Sequence, residues 1–399
     1  MFFSKSNFIV LFFLIIFSSS IFIDLGFALK GFMILTFFGI FFYIKNFKLI
    51  MSVYDIFYLL LIYYGSITVL FSADPLSGMR LAIGSIILVF YYYFLKYLLF
   101  SQLVKSKSIF KPLVIAAFIF TFFSILAYLI SLNSISFNIL GNNNTKLIGV
   151  IIERGLPRLI GFTQDPNIFV FTVLIPFWYL FCKKQKNNFE KLTLLLISIS
   201  VIMSLSRGGI ISILIPLIFI LISSLIKLKI KHIVVALVIV SILFNILDVP
   251  QVHDVLDQRI STISSGSGRF EIWKNGIELW SQNPFFGIGW YNFLYYNINF
   301  YGGTNYAHNT FLEVLVELGL VGFTIYFLFH TFLFVKIKSL IKREPNMSFI
   351  LPAYFSSIIL MSSLSLIINE VFFIIPAFVS VYLKIIKTNE NSVINFNPK

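Results

Sequence analysis

A succession of long apolar runs limits what this chain can fold into. Hydrophobic residues fill 59% of 399 positions, charged residues 12%, and mean hydropathy is +0.95, which excludes a soluble globular domain. A helix needs roughly 20 mostly apolar residues to cross about 30 Å of hydrocarbon. Twelve runs approach that length: 7–23, 27–44, 54–71, 81–100, 112–132, 166–182, 192–206, 208–226, 232–248, 309–335, 348–368 and 371–386. They are continuous blocks, not alternating ten-residue segments, so they read as helices and not as barrel strands. The expected fold class is an all-α polytopic membrane protein of about 12 transmembrane helices. One helical domain covers 1–399, with one large extracytoplasmic loop.

Two boundaries need argument. As one helix, 192–226 would run about 50 Å, too long for a bilayer, and Arg207-Gly208-Gly209 near its middle marks a tight hairpin. The stretch 348–386 divides in the same way at Asn369-Glu370. The first run imitates a signal peptide, with Lys5 ahead of an apolar core and small residues at Ser18 to Ser20. Ile21-Phe22-Ile23 continues the apolar block, so a retained span is expected, with cleavage as the alternative.

Lysines mark every second connection: Lys45 and Lys48, Lys96 to Lys111, Lys183 to Lys191, Lys227 to Lys231, Lys336 to Arg343, then Lys384 and Lys387. These connections read as cytoplasmic, with both termini, in a bacterial plasma membrane. Twenty of the 23 lysines fall there, whereas six of the seven arginines (Arg80, Arg154, Arg158, Arg207, Arg259, Arg269) fall on the other side with Lys30, Lys146 and Lys274. Arginine gathered externally opposes the usual bias. Its planar fork binds phosphate bidentately, so the split points to a bound anion. The formal charge of +14 is mostly a topology signal, and nucleic acid is not an expected partner. Cys182 is the single cysteine, which excludes a disulfide or a thiolate cluster.

Only 133–165 and 249–307 are long enough outside the membrane to carry machinery. In the second, Ser267 is placed to cap a helix in which Phe270, Trp273, Ile277 and Trp280 recur at helical spacing until Asn283-Pro284. That pattern fits an amphipathic helix on the outer membrane surface, with tryptophan at the interface. His308, in Asn305-Tyr306-Ala307-His308-Asn309 at the mouth of the tenth run, is the sharpest candidate base, since imidazole accepts a proton near pH 7; a helix-capping role is the alternative. Arg207 must be paired or snorkel outward, with Gly208 and Gly209 leaving space around its head. Arg154, Arg158, Arg269 and Arg80 are candidate companions, and Arg259 reads as solvated. Glu313 and Glu317 share a face one turn apart, one to three turns below His308, and serve either chemistry or a buried partner. Asp165 opens the sixth run in Thr163-Gln164-Asp165-Pro166-Asn167 as an N-cap or a substrate contact. No external Asp-x-Asp, histidine cluster, cysteine pair or Walker-type loop occurs, so no metal or other cofactor is expected.

Four pieces in order resemble the bacterial O-antigen ligase and polymerase superfamily. They are Asp165-Pro166-Asn167; Ser206-Arg207-Gly208-Gly209; Gly268-Arg269 through Trp273 to Asn283-Pro284-Phe285-Phe286-Gly287-Ile288-Gly289; and Ala307-His308-Asn309 with Gly319 and Gly322 beyond. The resemblance implies a membrane-embedded, metal-independent inverting glycosyltransferase that uses an undecaprenyl-pyrophosphate-linked glycan. His308 matches the family's proposed base, and Arg207 and Arg269, with Arg154 and Arg158, match its pyrophosphate grip. Trp273, Asp165, Asn167, Asn309, Glu313 and Glu317 are supporting candidates. The implied acceptor is a lipid-linked repeat unit for a polymerase, or lipid A core for a lipopolysaccharide ligase; polymerase is the first reading, with a chain-length regulator as a further partner. A lipid-linked oligosaccharide transporter is the reading from another class. It calls for paired charges near the midplane in two related halves, and no halves match here.

Overall fold

The computed structural model describes residues 5–24, 28–43, 45, 47–106, 108–139, 145–153, 155–225 and 269–394. Four helices among them are long and apolar enough to cross a membrane: Val53–Phe71, Pro75–Val104, Phe110–Ser134 and Thr310–Arg343. Ser6–Phe17, Gly31–Tyr43, Pro166–Cys182, Arg207–Ile222 and Pro345–Met361 are shorter apolar helices. The chain is a helical integral membrane protein. The ninth run, 232–248, and the 249–268 part of the large loop, with Ser267, lie outside the described residues, as do Arg154, Arg259, His232 and His253.

In chain order the bundle comprises α1 (Lys5–Phe17), α2 (Gly31–Tyr43), α3 (Val53–Thr68), α4 (Pro75–Ser106), α5 (Phe110–Ser134), α6 (Pro166–Cys182), α7 (Asn188–Met203) and α8 (Arg207–Leu225). After the large loop's first part come α9 (Arg269–Gln282), α10 (Phe293–Tyr301), α11 (Thr310–Arg343), α12 (Ile350–Met361) and α13 (Ile374–Ile394). Two small antiparallel sheets join them. Strands β1 (Phe22–Asp24) and β2 (Ala28–Lys30) form a hairpin, and β3 (Lys146–Leu147), β4 (Gly149–Glu153) and β5 (Leu156–Gly161) form a meander from the 133–165 segment. Continuous apolar runs carry no signal for such short strands.

The first run is packed as core. Phe12, Phe13, Ile16 and Phe17 are buried, with Phe17 against Phe120 of α5, and Ser20 donates from its amide and hydroxyl to Phe162 O at 3.0 and 2.7 Å. The 192–226 run is broken near its middle, as its length requires. Helix α7 stops at Met203, Leu205 turns the chain at φ 47°, and α8 starts at Arg207.

Three expectations change. The division of 348–386 is not a tight turn at Asn369-Glu370 but an irregular segment, 362–373. Irregular backbone inside a membrane protein persists only where the protein supplies its partners, and here it does. Thr310 Oγ1 donates to Leu364 O at 2.6 Å and accepts from Leu366 N, Tyr91 donates to Glu370 O, and Lys30 Nζ reaches both Glu370 carboxylate oxygens. Second, Lys96 is not a loop lysine. It is 0% exposed, bonded to Asp55 Oδ2 at 2.6 Å and to Ile50 O, and lies 4.1 Å from the Tyr92 ring centroid.

Third, the tenth run is no single straight span. Residues 311 and 330 would stand about 28 Å apart along one straight helix, yet the Phe311 and His330 rings are 6.1 Å apart. The chain reverses at Gly319, at φ 64° and ψ −167°. A first arm, 310–318, folds back along the second, 320–343, and brings the Phe311 ring to 6.1 Å from both Tyr326 and His330. Glu313 and Glu317 lie between His308 and the reversal. Breaking a helix orphans backbone groups, and the segment from Pro284 to Gly289 partners them. Leu320 N donates to Pro284 O, Val321 N to Phe285 O, Ile288 N to Val316 O and Gly289 N to Glu317 O. Tyr64 from α3 donates to Leu318 O. A Cβ at Gly287 would collide with Glu317 backbone and one at Gly319 with Phe285 backbone, and both residues have positive φ. The glycines let two backbones touch.

Candidate active site

Three helices begin at one place. Helix α6 starts behind Asp165, whose Oδ1 accepts from Asn167 N and Nδ2, both at 2.7 Å. Helix α8 starts at Arg207, and Ser206 Oγ ties it to α6 by donating to Asn167 Oδ1 at 2.6 Å while accepting from Gly209 N at 2.9 Å. The first arm of α11 starts behind Asn309, whose Oδ1 accepts from Phe311 N and Leu312 N. Segment 362–366 links the last two, holding Thr310 through Leu364 and Leu366 and placing Ser363 Oγ 2.9 Å from where a Gly208 Cβ would stand. Helix N-termini present amide donors and a positive dipole end, so this convergence favours an anion.

The positions beside Gly208 and Gly209 are filled. A side-chain carbon on either would press on Ser363, Ser206 or Val170, so they let α8 close against α6 and 362–366.

The arginines gather here. Arg269, half-buried at the start of α9, is within electrostatic range of Arg207, Arg158 and Asp165. Burial pulls its pKa below the ordinary value; Asp165 opposes this, and the charges of Arg207 and Arg158 add to it. It remains charged at any physiological pH. Arg158, on β5, donates from Nη1 to Glu153 Oε2 at 2.6 Å and from Nε to Ser204 O at 3.3 Å. Arg80 stands apart, beside Asp74 at the start of α4.

His308 faces this group in left-handed backbone conformation, φ 48°, uncommon for a residue with a side chain and found at functional positions. Trp273 Nε1 holds its loop by donating to Ala307 O at 2.9 Å. Burial lowers the imidazole pKa, Arg269 lowers it further, and Asp165 partly restores it. The neutral form that can accept a proton is therefore favoured.

The expected amphipathic helix also makes contacts to the protein. On α9, Gly276 and Leu279 are buried, Phe270 and Ile277 are exposed, and both tryptophan nitrogens are used inward, Trp280 on Pro284 O. The helix packs on the first arm of α11, with Leu312 and Phe293 next to Gly276. Glu317 fixes the same region, accepting from Tyr291 N at 2.8 Å and Phe293 N at 3.0 Å. Glu313 is buried beside Ser365, and its Oε2 has no hydrogen-bond partner among the described residues.

Residues 192–327 match the family model described as O-antigen ligase. This match over part of the chain supports membership of the O-antigen ligase and polymerase superfamily. No curated protein matches it. The superfamily match spans Arg207, Arg269, Trp273, His308, Asn309, both glutamates and the Gly287–Gly319 contact; Arg158, Asp165 and Asn167 lie ahead of it and reach the site through the fold. Sequence reasoning passed over Ser206, Thr310 and Ser363, single hydroxyls in apolar context. It also passed over Tyr306, whose ring lies 5.2 Å from that of Tyr291. The serine beside Arg207 was the one available signal.

Proposed function

We propose that this protein is a glycosyltransferase of the bacterial inner membrane that moves an undecaprenyl-pyrophosphate-linked glycan onto an acceptor sugar hydroxyl at the periplasmic or outer face. The observation that carries the reading is the gathering of Arg158, Arg207 and Arg269 around three helix N-termini beside His308. Three fixed cations and a neutral base within one partly buried site suit a reaction that builds charge on a pyrophosphate leaving group.

His308 accepts the proton of the acceptor hydroxyl, the oxygen attacks the anomeric carbon from the side opposite the leaving group, and configuration inverts. The carbon–oxygen bond to phosphate breaks, its electron pair passes to the pyrophosphate, and Arg207 and Arg269 stabilise that charge. A positioned base contributes typically 10²–10⁴-fold and one removed charge-stabilising donor costs about 10²–10³-fold. Asp165, Asn167, Asn309 and Trp273 hold the helix ends and the histidine loop, and Arg154 is proposed from the sequence as a further pyrophosphate contact.

The acceptor is proposed to be a second lipid-linked repeat unit, which makes the protein a surface-polysaccharide polymerase. Deleting the gene and separating the surface polysaccharide on a gel tests this. Loss of a polymerase leaves single repeat units on core. Bare core with polymer retained on the lipid carrier identifies a ligase instead, and loss of polymer with donor accumulating on the cytoplasmic face identifies a transporter.

A further inference from the structure

We propose that Glu153 sets donor affinity: its carboxylate is the exchangeable counter-ion of Arg158, and a pyrophosphate oxygen takes its place. This rests on the pyrophosphate reading above. The pair closes at 2.6 Å, but its halves are held differently. The Arg158 side chain is 16% exposed and its Nε is bonded to Ser204 O in the turn before Arg207, whereas Glu153 is 39% exposed beside the tip of the β4–β5 hairpin. The arginine is thus the fixed partner and the glutamate the movable one.

Among the described residues, Glu153 and Asp165 act on the arginine group, and they are held differently. Asp165 Oδ1 is committed to Asn167 N and Nδ2 at the head of α6, so displacing it uncaps a helix. Glu153 is held, among the described residues, by one bond from Arg158 Nη1. Carboxylate and phosphate oxygens satisfy the same guanidinium donors, and an ion pair open to solvent is weak enough to exchange. An arriving dianion replaces a monoanion and draws on Arg207 and Arg269 as well, both already within electrostatic range.

The test uses the full chain in lipid nanodiscs, with labelled undecaprenyl pyrophosphate as the probe and inorganic pyrophosphate as competitor. Glu153→Gln is expected to tighten binding about two- to fivefold, the scale of an exposed ion pair, and to lower donor KM with kcat unchanged. Glu153→Asp should stay near wild type. The gain should vanish in an Arg158→Gln background, which a general change of surface charge would not produce. Unchanged or weaker binding by Glu153→Gln, or a gain that survives Arg158→Gln, overturns the assignment while the pyrophosphate reading stands. Wild-type protein that shows no binding competed by pyrophosphate overturns both.

Discussion

At the scale of single residues, charge is placed by burial as much as by topology. The lowered pKa of His308 gives a signed prediction. In the proposed mechanism the base is the neutral imidazole, so kcat/KM should stay flat through neutral pH and fall only at a pH below the ordinary histidine value of about 6.5. Because Arg269 disfavours the imidazolium, Arg269→Gln should move that acid limb to higher pH; because Asp165 favours it, Asp165→Asn should move the limb lower. A pH–rate profile with a fixed limb in both variants removes His308 from the role of base. Lys96 belongs to a different class of charge. Paired with Asp55 where neither is more than 1% exposed, it should act on stability and not on chemistry. Lys96→Met leaves a buried carboxylate alone and is expected to destabilise by about 3–5 kcal/mol, measured as thermal unfolding in detergent, with Asp55→Asn in the same chain recovering part of the loss. The lysine was misread as a loop residue because Asp55, its partner, lies 41 positions earlier; hydropathy sees the end of a run and not the ion across from it.

At the scale of elements, the break before Arg207 was legible because no bilayer accommodates a helix of about 50 Å. The reversal at Gly319 was not, because a lone glycine in an apolar run is tolerated by a straight helix and nothing local announces a break. What stabilises the break is the Pro284–Gly289 segment, about thirty positions away, whose backbone accepts from and donates to the broken ends. For the same reason Gly287 and Gly289 read as a weak turn signal when their task is close backbone contact. Gly287→Ala and Gly319→Ala should each destabilise by about 1–3 kcal/mol through strain and overpacking, lowering the melting temperature and, by loosening the arm that carries His308, the transfer rate. Wild-type melting for both would mean that the contact is not formed. The tryptophans of α9 donate from their indole nitrogens to Ala307 O and Pro284 O, partners that helical spacing does not encode.

At the scale of the whole molecule, apolar runs and basic residues outlined a helical membrane protein with arginines gathered around one histidine, and family motifs named the residues worth following. They left open how those residues meet. Asp165 opens α6, Arg207 opens α8, Arg269 opens α9 and His308 precedes the re-entrant arm, so the site exists only when four helix starts are drawn together by Ser206, Asn167, Thr310 and Trp273. The central claim is that this junction grips pyrophosphate while His308 takes the acceptor proton. It is tested most directly by single-turnover transfer with the purified chain in proteoliposomes, supplied with an undecaprenyl-pyrophosphate-linked repeat unit, measuring donor binding and transfer separately. His308→Ala should bind donor like wild type and lose transfer about 10²–10⁴-fold, while Arg207→Lys and Arg269→Lys should weaken binding and transfer together. Transfer by His308→Ala at the wild-type rate would contradict the account.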